Sequence, residues 1–189
     1  MRTMQRGTVA LAALFSASLV MTACTPTTTS IEESRHTLYS DVAGLAADSE
    51  AVVDVVVDSQ EIVQEAMPYT LSTVTVIAPL QPTGLAANAD AAATVTPEQQ
   101  IVIRQLGSSA EETVPAPLLE VGGRYLLFVT STQLPGDAAS QFYVTGGSAG
   151  LYRTESASEA RGSDVSYARV DVESGDSLPL TLRTAELAG

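Results

Sequence analysis

The sequence predicts a mainly β protein, with one small antiparallel β-barrel, closed or partly open, preceded by a single amphipathic helix. Seven or so short apolar segments recur after residue 50, and most are rich in valine, isoleucine, threonine or aromatic residues. Short polar turns separate these segments, and no helical periodicity lies between them. A β-sandwich is the alternative architecture for the same pattern.

The chain begins with the features of a secretory signal peptide. Two arginines precede an apolar run over residues 9–20, which is too short and wrongly flanked for a membrane-spanning helix. Met21-Thr22-Ala23-Cys24 then places a small residue before the only cysteine of the chain. This run resembles a bacterial lipobox, where a lipoprotein precursor receives a diacylglyceryl thioether on cysteine and is cut just before it.

The lipobox resemblance implies an anchored lipoprotein. Residues 1–23 would be removed, Cys24 would be lipidated, and residues 24–30, rich in threonine, would form a flexible tether. The partner of Cys24 would be the lipid bilayer of the cell membrane, with the protein on its extracytoplasmic side. Two acyl chains anchor a protein in the bilayer far more firmly than one, because each buried methylene contributes about 0.8 kcal/mol to the free energy of membrane binding. The alternative is an ordinary secretory signal peptide that leaves Cys24 as a free thiol.

Charge narrows the range of partners. The chain has a formal net charge of −13, and all 9 of its basic residues are arginine. Such a surface repels phosphate backbones, so we expect no nucleic-acid binding. It also repels an anionic membrane face, so we expect the lipid, rather than a basic patch, to hold the protein at the membrane.

Residues 31–50 are predicted to form the helix. Ser30 and Glu33 have the spacing of a capping box. One apolar stripe follows at helical spacing, formed by Leu38, Val42 and Leu45. We expect this helix to pack across an open end of the β-domain, and docking on a partner is the alternative.

Residues 51–189 are predicted to form one β-domain. The segment 51–57 is nearly continuous valine, typical of a strand buried on both faces or in a barrel wall. Residues 178–183 fit either a strand or a short helix. Residues 80–97 and 153–164 are predicted to be surface loops. The further predicted strands are 69–77, 100–106, 125–130, 141–145, 151–154 and 165–172.

Two stretches carry a resemblance to known folds. Residues 120–129 join a turn to an apolar strand, and residues 143–152 carry a glycine-rich bend between two strands. The succession is similar to bacterial surface lipoproteins and to the OB-like barrels of netrin-type and tissue-inhibitor-of-metalloproteinase domains, over most of 51–153. In those inhibitors the first residue is a disulfide-bonded cysteine whose free amino terminus contacts the catalytic metal. The resemblance therefore implies the fold alone, because Cys24 is expected to be acylated and has no partner cysteine.

The sequence contains fragments of catalytic and metal-binding motifs, but each lacks other residues that its chemistry requires. Residues 146–150 match G-x-S-x-G around Ser148, but that motif needs a following helix and a downstream histidine. The only histidine is His36, far upstream, so we interpret the motif as a glycine bend and predict no catalytic residue. His36 alone builds no metal site. The acidic run 171–176 lacks the glutamate that closes a calcium loop, so no metal or cofactor is predicted.

The binding prediction rests on the glycine bend. Tyr143 and Tyr152 flank it, and Gly147 lies within it. Two tyrosines beside an exposed backbone would offer rigid contact area to an envelope protein. In the alternative, both rings cap the barrel core. The predicted function is a non-catalytic binding or structural module, and the alternatives are an enzyme or accessory subunit that uses carboxylates brought together by folding, or a solute-binding component of an importer.

Overall fold

Residues 37–82, 95–111, 114–154 and 164–187 are described by the computed structural model of the chain. The predicted signal peptide, Cys24, the tether, the Ser30–Glu33 capping box and His36 lie outside these residues. Eight strands and three short helices form in the described part. Their bounds are α1 Val42–Ala47, β1 Ala51–Gln64, β2 Pro68–Leu80, β3 Gln100–Leu106, β4 Arg124–Ser131, a 3-10 helix Gly136–Ser140, β5 Gln141–Val144, β6 Leu151–Thr154, β7 Ser166–Arg169, β8 Thr181–Arg183 and α2 Thr184–Leu187.

Five of the strands close into a ring in the order β1-β2-β3-β5-β4, since β4 also pairs with β1. The pairs are antiparallel except for β3 and β5, which run parallel and meet only at Val102↔Gln141 and Ile103↔Phe142. This short parallel joint leaves the ring partly open. The predicted mainly β fold is confirmed in this form, and the sheet is mixed rather than purely antiparallel.

The remaining three strands extend the sheet from the ring. β6 pairs with β4, β7 with β6, and β8 with β7, each time antiparallel. β5 and β6 lie end to end along the same edge of β4, because Val144 pairs with Val129 and Leu151 with Leu127. The glycine bend is the excursion between them.

Two hydrophobic cores lie on opposite faces of β1 and β4. The interior core fills the ring, with Val53, Val55 and Val57 from β1 and Tyr125, Leu127 and Val129 from β4. The outer core lies between the ring wall and the elements α1, β7, β8 and α2. It takes Val52 from β1 and Leu126 and Phe128 from β4. β4 and the first half of β1 are therefore buried on both faces, as continuous apolar runs predict.

The predicted helix over residues 31–50 is wrong for most of its described part. α1 covers only Val42–Ala47, because the side chain of Asp41 caps it by accepting from the Gly44 amide at 2.8 Å. The preceding chain is held extended, since the Tyr39 amide donates to Asp176 Oδ1 at 2.8 Å and the Tyr39 carbonyl accepts from Ser177. Leu38 is 61% exposed, so the predicted stripe keeps only Val42 and Leu45 against the outer core.

Within residues 178–183 the strand alternative holds for the last three positions, and the helix begins only after this segment. Residues 181–183 form β8, and the chain then turns directly into α2. The predicted loop 80–97 begins later than its first residue, because β2 runs to Leu80, while residues 83–94 lie outside the described part. The predicted loop 153–164 likewise begins after β6 ends at Thr154, and residues 155–163 also lie outside the described part.

Candidate functional site

The tyrosines that flank the glycine bend lie in different environments. Tyr152 is completely buried in the outer core, with its ring centroid 6.4 Å from that of Phe128. Its hydroxyl donates to the Pro179 carbonyl at 3.2 Å, and burial raises its pKa to about 12. Tyr143, on β5, and Gly147 are half-buried. Tyr152 therefore caps the core, and the predicted edge of two exposed tyrosines does not form.

The glycine bend has a structural geometry. Gly146 and Gly147 have φ of +65° and +66°, which L side chains rarely adopt. A Cβ on Gly150 would meet the Phe128 carbonyl oxygen at 2.9 Å, so only glycine fits against β4 here. Ser148 is buried and its Oγ donates to Asp171 Oδ2 at 2.6 Å. Through this hydrogen bond Ser148 holds the glycine bend against the turn that follows β7.

The acidic turn 171–176 is organised by Arg169. Its guanidinium donates to the carbonyls of Val172, Asp176 and Leu178 at 2.8–3.2 Å. The Asp176 carboxylate accepts from the Tyr39 amide and from Ser174 Oγ. These contacts hold the turn together through three of its carbonyls and the Asp176 carboxylate. Among the described residues, no group of three or more histidine, cysteine, aspartate or glutamate side chains could hold a metal ion.

A groove at one mouth of the ring is the candidate functional site. β1 and β2 form a hairpin in which β1 continues past its pairing with β4, and Gln60 and Ile62 of β1 oppose Ser72 and Thr70 of β2, which still pairs with β3 there. The same alternating positions of β2, farther along, carry Val74 and Val76 of the interior core. The groove therefore continues the inner face of the ring. It has a volume of about 740 Å³ and is lined by Gln60, Ile62, Thr70, Ser108, Ser109, Glu111, Val114, Leu118, Leu119, Glu120 and Val121.

Glutamine side chains hold the floor of this mouth groove. Gln60 Nε2 donates to Ser72 Oγ at 2.9 Å and to the Leu119 carbonyl at 2.7 Å. Gln105 accepts from the Leu119 amide at 2.9 Å and donates to the Pro117 carbonyl at 3.0 Å. These bonds tie the β3–β4 connection to the hairpin and to β3. The described part of the groove is thus preformed, as is typical of ligand sites of this size.

The rim of the mouth groove is apolar and acidic. Ile62 is 47% exposed and Val121 is 59% exposed. Glu111 Oε2 accepts from the Ser108 amide at 2.8 Å. Glu120 Oε2 lies 2.8 Å from Arg153 NH2, in an ion pair whose two side chains are both well exposed. The lining residues given above include two carboxylates and no cationic side chain.

The hairpin is braced on its β2 side. Arg104 of β3 is buried, lies 2.6 Å from Glu65 Oε2, and stacks its guanidinium 3.9 Å from the centre of the Tyr69 ring. Arg104 also donates to Gln141 Oε1 at 3.3 Å. This charged and stacked arrangement holds the turn end of the hairpin against β3, with which β2 is also paired.

The opposite edge of the hairpin, on β1, is paired for only half its length. β1 pairs with β4 from Ala51 to Val56, and Val57 exchanges backbone hydrogen bonds with Gly122 and Gly123. Beyond Val57, β1 pairs with β2 alone. Within the described ranges, no backbone hydrogen bond reaches residues 58–64 from the β4 side. This edge borders the mouth groove, because Gln60 and Ile62 belong to both.

No protein family matches the chain, and no curated protein is detectably similar to it. Within the part of the chain that the structure describes, no helix has the length and apolar character needed to cross a membrane.

The mouth groove was missed by sequence reasoning, which ended the first strand at residue 57. The signal was present in residues 58–64, where the valine run gives way to a segment of mostly polar residues that keeps only Ile62 and Val63 as apolar positions. Polar residues that continue a buried strand indicate that the strand extends out of the core and has an exposed edge. The contribution of residues 108–121 carries no comparable local signal.

Proposed function

We propose that this protein is a lipid-anchored envelope lipoprotein whose β-domain binds a partner at the mouth groove without catalysing a reaction. The observation that carries the binding role is the groove itself, a preformed cleft of about 740 Å³ with exposed Ile62 and Val121 at its rim. Clefts of this size, mostly apolar with a few fixed polar groups, are the usual form of a binding site. The anchor is supported by the lipobox-like sequence at Cys24.

The polar side chains of the groove favour binding over chemistry. Gln60 and Thr70 are each engaged in hydrogen bonds that hold the fold, to Leu119 and to Gly107 respectively. A nucleophile needs a base within hydrogen-bond reach and a third group to orient that base. Ser108 and Ser109 line the groove, and among the described residues the Glu111 carboxylate bonds to the Ser108 backbone amide rather than to either hydroxyl.

One observation favours an enzyme or accessory subunit as the second candidate. Glu111 and Glu120 come from different parts of the β3–β4 connection and both line the groove, so folding does bring carboxylates to one site. Each has a structural contact, to the Ser108 amide and to Arg153. The double variant Glu111→Gln with Glu120→Gln separates the two roles. Loss of a turnover activity with partner capture retained would support the enzyme.

The anchor is tested by Cys24→Ser, with Thr25→Ser as the matched control that keeps the cysteine. We expect the Cys24→Ser protein to leave the membrane fraction, and the control to stay in it and to carry two acyl chains by mass spectrometry. Retention of Cys24→Ser on membranes after a high-salt wash would contradict lipid anchoring.

The binding role is tested by a photo-crosslinking side chain placed at Val121 in intact cells, with Leu180, another exposed apolar position, as the control site. We expect a defined crosslinked product from Val121 and none from Leu180. Equal products from both positions would mean that the groove is not the site.

A further inference from the structure

We propose that the mouth groove accepts an extended, cationic peptide segment of another protein, which adds as a strand to the free edge of β1 at residues 58–64. This proposal rests on the part of the proposed function that assigns partner binding to the groove. It does not depend on the lipid anchor or on the fate of Cys24.

Backbone geometry supports strand addition. Residues 58–64 are held in strand conformation by pairing with β2, from Ser59↔Thr73 to Gln64↔Pro68. Alternate backbone groups of such a strand point away from β2, and within the described ranges they meet no backbone partner. A row of such groups is a template for another strand. Peptides that bind in this way gain affinity from main-chain hydrogen bonds and specificity from pockets for alternate side chains.

Apolar contacts are available on the inner face of the added segment. Ile62 extends from the edge strand, and Leu118 and Val121 face the same groove from the β3–β4 connection. Every second side chain of an extended peptide points to one face, so alternate apolar residues of the peptide would contact this surface. Gln60, which bridges β1 and Leu119 at 2.7 Å, forms the floor beneath them.

Charge selects a cationic occupant. The groove lining carries Glu111 and Glu120, and the exposed Glu61 lies on the edge strand itself. Arg153 pairs with Glu120 at 2.8 Å and offsets one of these three charges, so the surface stays acidic. Complementary charge across an interface raises the association rate and rejects partners of the wrong sign. A second copy of this chain is disfavoured for the same reason, because edge-to-edge pairing of two β1 strands would bring two acidic groove linings together. The chain has no lysine, whereas the segment we propose is rich in lysine or arginine.

The probe for this proposal is a synthetic heptapeptide that alternates lysine and valine. Its binding to the intact protein is measured by calorimetry, together with two forms of the peptide that are N-methylated on alternate backbone amides. We expect the peptide to bind and one N-methylated form to lose at least about tenfold in affinity, because it cannot donate to the β1 edge. The matched peptide of alternating glutamate and valine should not bind.

Variants locate the peptide. Ile62→Arg places a positive charge at the groove and should weaken binding at least about tenfold, whereas Ile77→Arg on β2 should leave it unchanged. Glu111→Gln with Glu120→Gln should also weaken binding, and Glu173→Gln, an exposed acidic control elsewhere, should not. Melting temperatures measured on all four proteins exclude unfolding as the cause.

Several outcomes would overturn the proposal. Equal affinity for the unmodified peptide and both N-methylated forms would mean that no strand is added to β1. Equal affinity for the lysine and glutamate peptides would remove the charge argument. No binding of the lysine peptide, with crosslinking at Val121 still observed in cells, would leave partner binding intact and reject the cationic strand. Tight peptide binding without any crosslinked product would instead count against the cellular role.

Discussion

The two halves of β1 have opposite surroundings on one continuous strand. The inner half, residues 51–57, lies between β2 and β4, and its side chains serve both hydrophobic cores. In the part of the chain that the structure describes, the outer half, residues 58–64, pairs with β2 alone, and nearly all its residues are exposed. Since the inner half already closes the ring, the outer half is not needed for closure. Its free edge is therefore the part of the strand available for binding.

A buried ion pair marks the inner half. Asp54 is 2% exposed and accepts from both Nε and NH2 of Arg124 on β4, with the Nε contact at 2.9 Å. Asp54 lies on the outer-core face of the strand, and the hydrogen bond to its carboxylate raises the pKa of the Arg124 guanidinium. Tyr167 lies nearby, and burial together with this carboxylate raises the pKa of its phenol. The pair crosses the β1–β4 seam that closes the ring.

The largest expected effect is on stability, and it should differ between variants of two aspartates of β1. Asp54→Ala leaves the Arg124 guanidinium buried without its carboxylate, which should lower the free energy of unfolding by about 3–5 kcal/mol. Asp58→Ala, in the outer half, removes exposed hydrogen bonds to Thr75 and Gln100 and should cost at most about 1 kcal/mol. Urea denaturation of both variants measures the difference. Equal losses would mean that the two halves of the strand contribute alike.

An effect of similar size is expected for the outer core. Phe128 is completely buried, and its face of β4 also carries Leu126. Phe128→Ala should lower the free energy of unfolding by about 3–5 kcal/mol. Ile62→Ala, in the outer half of β1, should change it by no more than about 0.5 kcal/mol. A loss below about 1 kcal/mol for Phe128→Ala would contradict its place in a packed core.

A smaller effect is expected at high pH. Burial raises the pKa of Tyr152 to about 12 from its ordinary value of 10.0. Between these values the unfolded chain loses a proton that the folded chain keeps, so stability present below pH 10 falls as pH rises towards 12. Tyr152 should contribute up to about 1.4 kcal/mol per pH unit to this fall. Tyr152→Phe removes that contribution, so its stability should decline less steeply over pH 10–12. Identical slopes would contradict the burial of this phenol.

The strands of the ring could be predicted because each has a local pattern. The valines of residues 51–57 and the apolar run 125–130 identify β1 and β4, and the glycines at 146–150 identify the bend. Asp54 within the valine run was a further signal, because a carboxylate in a strand buried on both faces needs a partner. Its partner Arg124 is 70 positions away, and no local pattern connects the two.

The helix and the groove could not be predicted, for physical reasons. The Leu38–Val42–Leu45 spacing was overridden by the capping bond of Asp41 and by the contact of Tyr39 with Asp176, which is distant in sequence. The groove exists because Gln60 and Gln105 hold the β3–β4 connection against the hairpin. Glutamine side chains that bond to distant carbonyls have no characteristic spacing.

The two halves of β1 are best distinguished by amide hydrogen exchange, measured with and without the lysine–valine heptapeptide. In the free protein, residues 52–57 should exchange slowly, and the amides of 58–64 that point away from β2 should exchange fast. The peptide should slow those outer amides and leave the inner half unchanged. If the peptide binds and exchange over residues 58–64 does not change, no strand is added at this edge and the assignment of the binding site is wrong.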